Sequence, residues 1–136
     1  MPIDPALAGR VFEPTTPVTV TQERIDAFAA CLGAPTGGVA PPTFPFTIAV
    51  AAWQRMFDDP DLDIELHRLV HADQRFVAAR ALRAGDLVVA TATLTSIRPT
   101  AGADRLVVDT ALATIDGEHL GTASSTLLCA HVGADA

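Results

Sequence analysis

Hydrophobic positions follow a helical period in the first part of the chain and a period of two in the second. In Gln22–Leu32 the apolar side chains recur at helical spacing, at Ile25, Phe28, Ala29 and Leu32. Thr21 is a suitable N-cap, Gly33 a suitable residue just past the helix end, and Pro35 stops any continuation. We therefore predict a first helix over residues 22–32 that buries one face.

The most apolar part of the chain is residues 43–57, which follow a loop with the sequence APTGGVAPP at residues 34–42. Apolar side chains point to nearly every side of a helix here: Phe46, Ile48, Val50, Trp53, Met56 and Phe57. A helix that is hydrophobic on all sides is normally buried on all sides. The run Asp58–Asp61 ends it, so we predict a long, central, fully buried helix.

After Ile64 the pattern changes to alternation, which is typical of strands. Turn signals at residues 101–104 and at Asp116-Gly117 divide it, and the second is a strong hairpin signal. We predict an extended lead-in over residues 1–17, a short strand over 18–20, and four long antiparallel strands: Leu69–Ala79, Asp86–Ile97, Arg105–Ile115 and Glu118–His131.

One buried helix followed by a long-stranded meander predicts an α+β fold in which a curled antiparallel sheet wraps the helix. This is the hot-dog architecture, and we expect it to occupy residues 1–136 as a single domain. Such a sheet leaves an edge strand and an apolar flank unpaired, so we also expect dimerisation.

Composition narrows the classes of function. A net charge of −7 argues against nucleic-acid binding, because little here neutralises phosphates. Cys31 and Cys129 lack a CxxC spacing, which favours two buried free thiols in a reducing cytoplasm over a zinc site. Residues 1–14 carry no signal-peptide pattern, and no apolar run is long enough for a membrane span. We expect a cytoplasmic protein without metal or cofactor.

Candidate chemistry lies at the start of the first long strand. His71, Asp73 and Arg75 occupy alternate residues, which predicts that their side chains share one face. The functional interpretation is a His/Asp pair or the polar lining of a channel, and the alternative is a surface pair that bonds a neighbouring loop. His67 and His71 are four apart, but the strand period and the lack of a third ligand argue against a metal.

Three arginines, Arg75, Arg80 and Arg83, form the one local group of positive charge. Guanidinium groups pair well with phosphate oxygens, so these residues are candidates for binding coenzyme A or a phosphopantetheine arm. The alternative is ordinary solvated charge on a strand and its turn.

Several motifs in a fixed order resemble the MaoC-like hydratase/dehydratase family. They are APPTF, LVHADQRF, RALRAGDLVV and the hairpin run SIRPTAGADRLVVDTALATIDGEHLGTASSTLL, and the resemblance spans about Gly9 to Cys129. It is closest to the N-terminal-type half, which also forms one subunit of heterodimeric (3R)-hydroxyacyl-ACP dehydratases. The resemblance implies addition of water to a 2-enoyl thioester, or its removal from a 3-hydroxyacyl thioester.

The chain departs from the family at the catalytic pattern D-x-N-P-x-H, which leads into the central helix of active members. Between Gly33 and Phe57 there is no His, Asp or Glu. The resemblance then implies a non-catalytic half that shapes the acyl tunnel and pairs with an active subunit. What remains is a set of residues for binding the thioester oxygen and the acyl chain: Gly37, Gly38, Val39, Thr43 and Phe44.

Three functions therefore stay open on sequence grounds. The first is a hydro-lyase component for acyl-CoA or acyl-ACP thioesters, in a homodimer or in a heterodimer with a catalytic hot-dog subunit; His71 and Asp73 are its surrogate dyad if it is active alone. The second is a homodimeric acyl-thioester binding module or scaffold. A thioesterase ranks last, because residues 33–57 carry no acidic group.

Overall fold

The computed structural model describes residues 2–131 of the chain. Two α-helices and six strands follow one another, and short 3-10 turns lie at residues 5–7 and 66–68. The elements are β1 (Arg10–Val11), β2 (Val18–Thr19), α1 (Gln22–Cys31), α2 (Phe46–Phe57), β3 (Leu69–Ala78), β4 (Leu87–Pro99), β5 (Ala103–Thr114) and β6 (His119–Ala130).

All strand pairs are antiparallel, and the sheet has the order β1-β4-β5-β6-β3, with β2 also pairing with β4. The predicted α+β class and four long strands are confirmed, with ends displaced by at most two residues. The lead-in was predicted as merely extended, but it pairs with β4: Phe12 N–H donates to Ala92 O and Thr15 N–H to Ala90 O. Prolines in the lead-in interrupt the alternation of apolar and polar residues, so the sequence pattern did not predict its pairing with β4.

Each long ladder contains one register shift. At each shift, one strand carries an extra residue relative to its neighbour. The extra residue lies between Leu94 and Ser96 in β4 and between His71 and Asp73 in β3. The third shift is in β6, opposite Leu112 and Ala113 of β5. A bulge of this kind bends the strand and increases its twist. The shifts therefore supply the curvature that the sheet needs to close around a helix.

Helix α2 packs on the inner face of the sheet through residues at helical spacing: Ile48, Ala49, Ala52, Trp53 and Met56, all at most 4% exposed. The prediction of a helix buried on all sides is wrong. Val50, Ala51 and Gln54 form an exposed stripe, because the sheet of one chain covers one side of the helix. The helix also begins at Phe46, since residues 42–45 form a turn. In the described region no helix is long and apolar enough to cross a membrane.

Helix α1 begins at the predicted residue and ends at Cys31, one residue before the predicted end. The Thr21 hydroxyl oxygen accepts a hydrogen bond from Arg24 N–H at 3.2 Å, and Gly33 follows the helix end with φ of +69°. The prediction that both cysteines are buried holds for Cys129 and is wrong for Cys31, which lies on the exposed side of α1. Burial raises the pKa of the Cys129 thiol above its usual value.

The two ends of the described chain meet at one buried carboxylate. Asp104, 2% exposed, accepts a hydrogen bond from Ile3 N–H at 2.9 Å and another from His131 Nε2–H at 3.1 Å. The side chain of His131 is only 16% exposed. The carboxylate joins the lead-in, β5 and the end of β6, and it is fully hydrogen-bonded as a buried charge must be.

Gly121 in β6 is a position where the sheet tolerates no side chain. A Cβ atom there would lie 2.8 Å from the carbonyl oxygen of Val77 and 3.2 Å from Cα of Ala78, both backbone atoms of β3. We predict that Gly121→Ala lowers the free energy of unfolding by roughly 1–3 kcal/mol, because β3 must move away from β6. Urea denaturation measures the change.

The matched control is Gly102→Ala, at a position in the β4–β5 turn where a Cβ would meet no atom within 4 Å. We expect it to stay within about 0.5 kcal/mol of the parent chain. Equal midpoints for the two variants would contradict the close approach of β3 to Gly121.

Candidate functional site

The loop before α2 is held against α1 and the turn before β4. Gly37 N–H donates to Asp26 Oδ1 at 2.8 Å, Gln22 Nε2–H donates to Gly38 O at 3.0 Å, and Ala40 N–H donates to Leu82 O at 2.8 Å. The Gly37 bond, with a second from Gln22, holds the pKa of the Asp26 carboxyl below its usual value. The loop is therefore fixed, although it contains two adjacent glycines.

Backbone donors are available in this loop and at the helix entry. The first turn of α2 is tight, with Phe46 N–H bonded to Thr43 O at 3.1 Å and Thr47 N–H bonded to Phe44 O at 3.0 Å. Within residues 2–131 the N–H groups of Gly38, Val39 and Thr43 have no acceptor. Unpaired N–H groups near a helix N-terminus suit an anionic oxygen.

Of the predicted substrate-binding residues in this segment, four are accessible and one is not. Gly37, Gly38, Val39 and Thr43 are exposed. Phe44 is 2% exposed and packs edge-to-face on Phe28, with ring centroids 5.5 Å apart. Phe44 is therefore a core residue that anchors the entry of α2.

The register shift in β3 separates His71 from Asp73. His71 lies opposite the core residue Leu127, whereas Asp73 lies opposite Thr126 and Arg75 opposite Ser124. Because directly paired residues share a face, His71 points toward α2 and the other two point to the outer face. The prediction that the three side chains share one face is wrong, since it assumed unbroken alternation.

On the inner face His71 sits among aromatic side chains of α2. Its imidazole stacks on Phe46 with centroids 5.4 Å apart and an interplanar angle of 16°, and it meets Trp53 edge-on at 5.6 Å. Trp53 is in turn fixed by its indole N–H, which donates to Thr110 Oγ1 at 3.2 Å. Phe46, the first residue of α2, is thus in direct contact with His71 of β3.

The polar partner of His71 is Gln74. His71 Nε2–H donates to Gln74 Oε1 at 3.0 Å, and the hydroxyl of Ser125 on β6 donates to the same oxygen at 2.5 Å. Nothing in the sequence pattern singled out Gln74 or Ser125.

On the outer face Asp73 and Arg75 form an exposed ion pair. Arg75 Nε lies 3.5 Å from Asp73 Oδ2, with side-chain exposures of 80% and 56%. Pairs of this kind contribute little to stability.

Arg80 is not solvated charge but the centre of a clamp. Its guanidinium donates to both carboxylate oxygens of Asp86 at 2.9 Å and, through Nε, to Glu118 Oε2 at 2.8 Å. Arg83 N–H adds a third bond to Asp86. Arg80 lowers the pKa of the Asp86 and Glu118 carboxyls. The clamp joins the 80–86 loop to the β5–β6 hairpin.

The carboxylates around Arg80 and Arg83 affect how well this region could bind a phosphate. The Arg83 side chain lines the same cleft as Asp86, Asp116 and Glu118, so a phosphate there meets carboxylates as well as a cation. The roles of Arg75 and Arg83 in binding phosphate stay predictions.

A narrow apolar cleft opens beside the start of α2. Its walls come from the helix entry, β3, the loop after it and the β5–β6 hairpin: Pro42, Pro45, Phe76, Leu82, Leu112 and Leu120. In residues 2–131 no group of three or more His, Cys, Asp or Glu side chains is arranged to hold a metal ion. The cleft reaches the helix entry at Pro42 and Pro45, whereas His71 and the donors at residues 38, 39 and 43 lie outside its lining.

Comparison with known proteins places this geometry among dehydratases. Residues 36–123 match the family described as "FAS1-like, dehydratase domain region". The chain is also 42% identical, over 125 residues, to a UPF0336 protein of Cutibacterium acnes, with 88% of each chain covered.

Solved structures show the same architecture. The chain is similar to a subunit of the HadBC (3R-hydroxyacyl-ACP dehydratase) complex from Mycobacterium tuberculosis, with TM-score 0.79 and 26% identity over 90% of this chain and 96% of that one. A MaoC-like dehydratase matches with TM-score 0.75 and 28% identity over 94% of this chain and 43% of its own length. The predicted hot-dog fold is confirmed.

The Asp86 clamp generates a prediction on stability. We expect Asp86→Asn to lower the free energy of unfolding at pH 7 by roughly 1–3 kcal/mol, because a nearly buried guanidinium loses its charged partner. The folded-state pKa of Asp86 lies below its ordinary value of 3.8. The stabilisation is therefore complete well above pH 3.8 and is lost as the pH falls through the folded-state pKa.

Urea denaturation of both chains between pH 7 and pH 3 measures this difference. The gap between parent and variant should narrow below about pH 3.8. Glu118→Gln is the matched control, since Glu118 is the more exposed partner of Arg80 and its loss should cost less. A gap that does not change with pH would refute the charged clamp.

Proposed function

The chain belongs to the family of FAS1-like dehydratase regions and to the UPF0336 proteins, and from this premise we propose that it is a component of a hydro-lyase for 3-hydroxyacyl and 2-enoyl thioesters. In this proposal the chain binds the acyl thioester and a partner hot-dog subunit supplies the acid/base pair. The acyl group is carried by coenzyme A or by an acyl carrier protein.

The observation that carries the proposal is the absence of an acid/base pair at the helix entry. Residues 33–57 contain no His, Asp or Glu. His71 approaches Phe46 from β3, but Asp73 lies on the opposite face of that strand. His71 therefore has no carboxylate beside it on the inner face of β3 to share the positioning and activation of a water molecule.

The rest of the site favours thioester binding. Free N–H groups at Val39 and Thr43 suit an oxygen that gains negative charge as the enolate-like state forms. The neighbouring cleft has apolar walls, as pockets for acyl chains require. These features suit the binding of a thioester substrate, and they do not supply the proton transfers of hydration.

The edge strand β3 favours a partner subunit. Within residues 2–131 no strand pairs with its outer edge, and Val70 and Val77 on this strand are 59% and 73% exposed. An exposed apolar edge strand invites pairing with another chain. Because the similar HadBC structure is described as a complex, a heterodimer with a catalytic subunit is the assembly we propose.

In the hydration direction, water adds across the C2=C3 double bond. The hydroxyl oxygen bonds to C3, one water proton passes to the base, and C2 receives a proton from the acid. In our proposal the partner supplies base and acid, and this chain holds the thioester carbonyl.

The test is hydration of crotonyl-CoA. We expect the purified chain alone to show no turnover above background, and a complex with a hot-dog subunit that carries the Asp/His pair to reach a kcat of roughly 1–10³ s⁻¹. Loss of absorbance of the enoyl thioester measures the rate. The matched control is the same complex with the partner's catalytic Asp changed to Asn.

Two outcomes would contradict the proposal. Turnover at ordinary enzyme rates by the chain alone would assign the chemistry to its own residues. Tight binding of crotonyl-CoA without turnover, alone and with every candidate subunit, would instead support an acyl-thioester binding module.

A further inference from the structure

We propose that Gln74 and Ser125 are positioning residues, which hold His71 in the Nε2-protonated tautomer and so present its Nδ1 lone pair to the hydroxyl of a bound ligand. The site is the inner face of β3 beside the first turn of α2. The identity of the ligand, a 3-hydroxyacyl thioester, rests on the proposed function, but the state of the ring does not.

The bulge in β3 brings the three side chains together. His71 and Gln74 are three residues apart and would lie on opposite faces of a regular strand. Because the register shifts after His71, Gln74 pairs with Ser125 while His71 pairs with Leu127, and these positions share the inner face. The imidazole and the amide therefore meet at 3.0 Å.

The orientation of the Gln74 side-chain amide is fixed by the hydrogen bond that its nitrogen donates. Its Nε2–H donates to the backbone carbonyl of Arg75 at 3.1 Å, and a carbonyl oxygen only accepts. A flipped amide would place two oxygens against each other there. Oε1 therefore faces His71 and Ser125, and both must donate to it.

This pattern of donors determines the histidine tautomer. Because Gln74 Oε1 carries no proton, His71 Nε2 must carry one, and the neutral ring then has its lone pair on Nδ1. Within the described chain no donor contacts Nδ1. The acceptor of the ring is left for a ligand.

The ring is also fixed in orientation. Phe46 stacks on one face and Trp53 meets the ring at right angles, while Trp53 itself is tied to Thr110. Ser125 is 1% exposed, so water does not compete for its bond to Gln74. His71 is itself exposed, and its ring is held by the two aromatic rings and by Gln74, which is bonded in turn to the buried Ser125. A side chain held in this way is preorganised for a specific contact.

The experiment is nitrogen-15 NMR of the histidine rings at pH 8, with His71→Phe used to assign the His71 signals. We expect the nitrogen-15 shifts of Nδ1 and Nε2 to report a single tautomer with its proton on Nε2. Gln74→Leu should move both shifts toward the averaged values of a ring that interconverts between tautomers, and Gln74→Glu should restore the single tautomer, since a carboxylate oxygen accepts the same two bonds.

Two further variants keep the result interpretable. Ser125→Ala removes the buried donor that holds Gln74 Oε1, with little change in volume, and should move the two nitrogen shifts part of the way toward the Gln74→Leu values without unfolding the chain. Asp73→Asn is the matched control, because Asp73 lies on the outer face, and it should leave the His71 signals unchanged. A proton on Nδ1, or unchanged signals in Gln74→Leu, would overturn the inference.

The ligand is tested with (R)-3-hydroxybutyryl-CoA and with butyryl-CoA, which lacks the hydroxyl. We expect the first to shift the Nδ1 resonance and the second to leave it in place. Equal responses to both would overturn the assignment of Nδ1 to a hydroxyl. If the ring behaves as expected but no assembled complex hydrates crotonyl-CoA, the proposed function fails and the positioning stands.

Discussion

The structure depends on bending an antiparallel sheet far enough to cover the apolar face of α2. A regular sheet twists, but it does not by itself close around a helix, and each long ladder here contains one place where two residues oppose one. The buried face of α2 meets this curved surface through Ile48, Trp53 and Met56. The register shifts therefore give the sheet its curvature, and that curvature lets the sheet pack against α2 to form the core.

The same irregularity sets the chemistry of the site. Without the shift in β3, alternation would place His71 beside Asp73, as in a dyad. With it, the imidazole turns inward to Phe46 and Gln74, and the carboxylate turns outward to Arg75. The bulge that bends the sheet thus places the His71 imidazole and the Asp73 carboxylate on opposite faces of β3, which agrees with the proposed role of the chain in binding.

Much of the fold could be predicted from the sequence, because periodicity reports which face of an element is buried. It located both helices and the four long strands, and the ordered motifs around APPTF indicated a family that the comparisons confirm. Periodicity failed at His71, because one extra residue in β3 reverses which face the following side chains point to. It also failed at Val50, because the sheet of one chain leaves that side of α2 exposed. The partners of Arg80 were also hidden, since Glu118 is distant in sequence.

The contrast between the two thiols gives the chain a built-in reporter of its own opening. Cys31 lies in solvent, whereas Cys129 sits near the end of β6 with its pKa raised by burial. Alkylating reagents attack the thiolate, so the raised pKa and the burial of Cys129 should make it react more slowly than Cys31. The labelling rate of Cys129, compared with that of Cys31, therefore reports local opening of the structure around the end of β6 without denaturant.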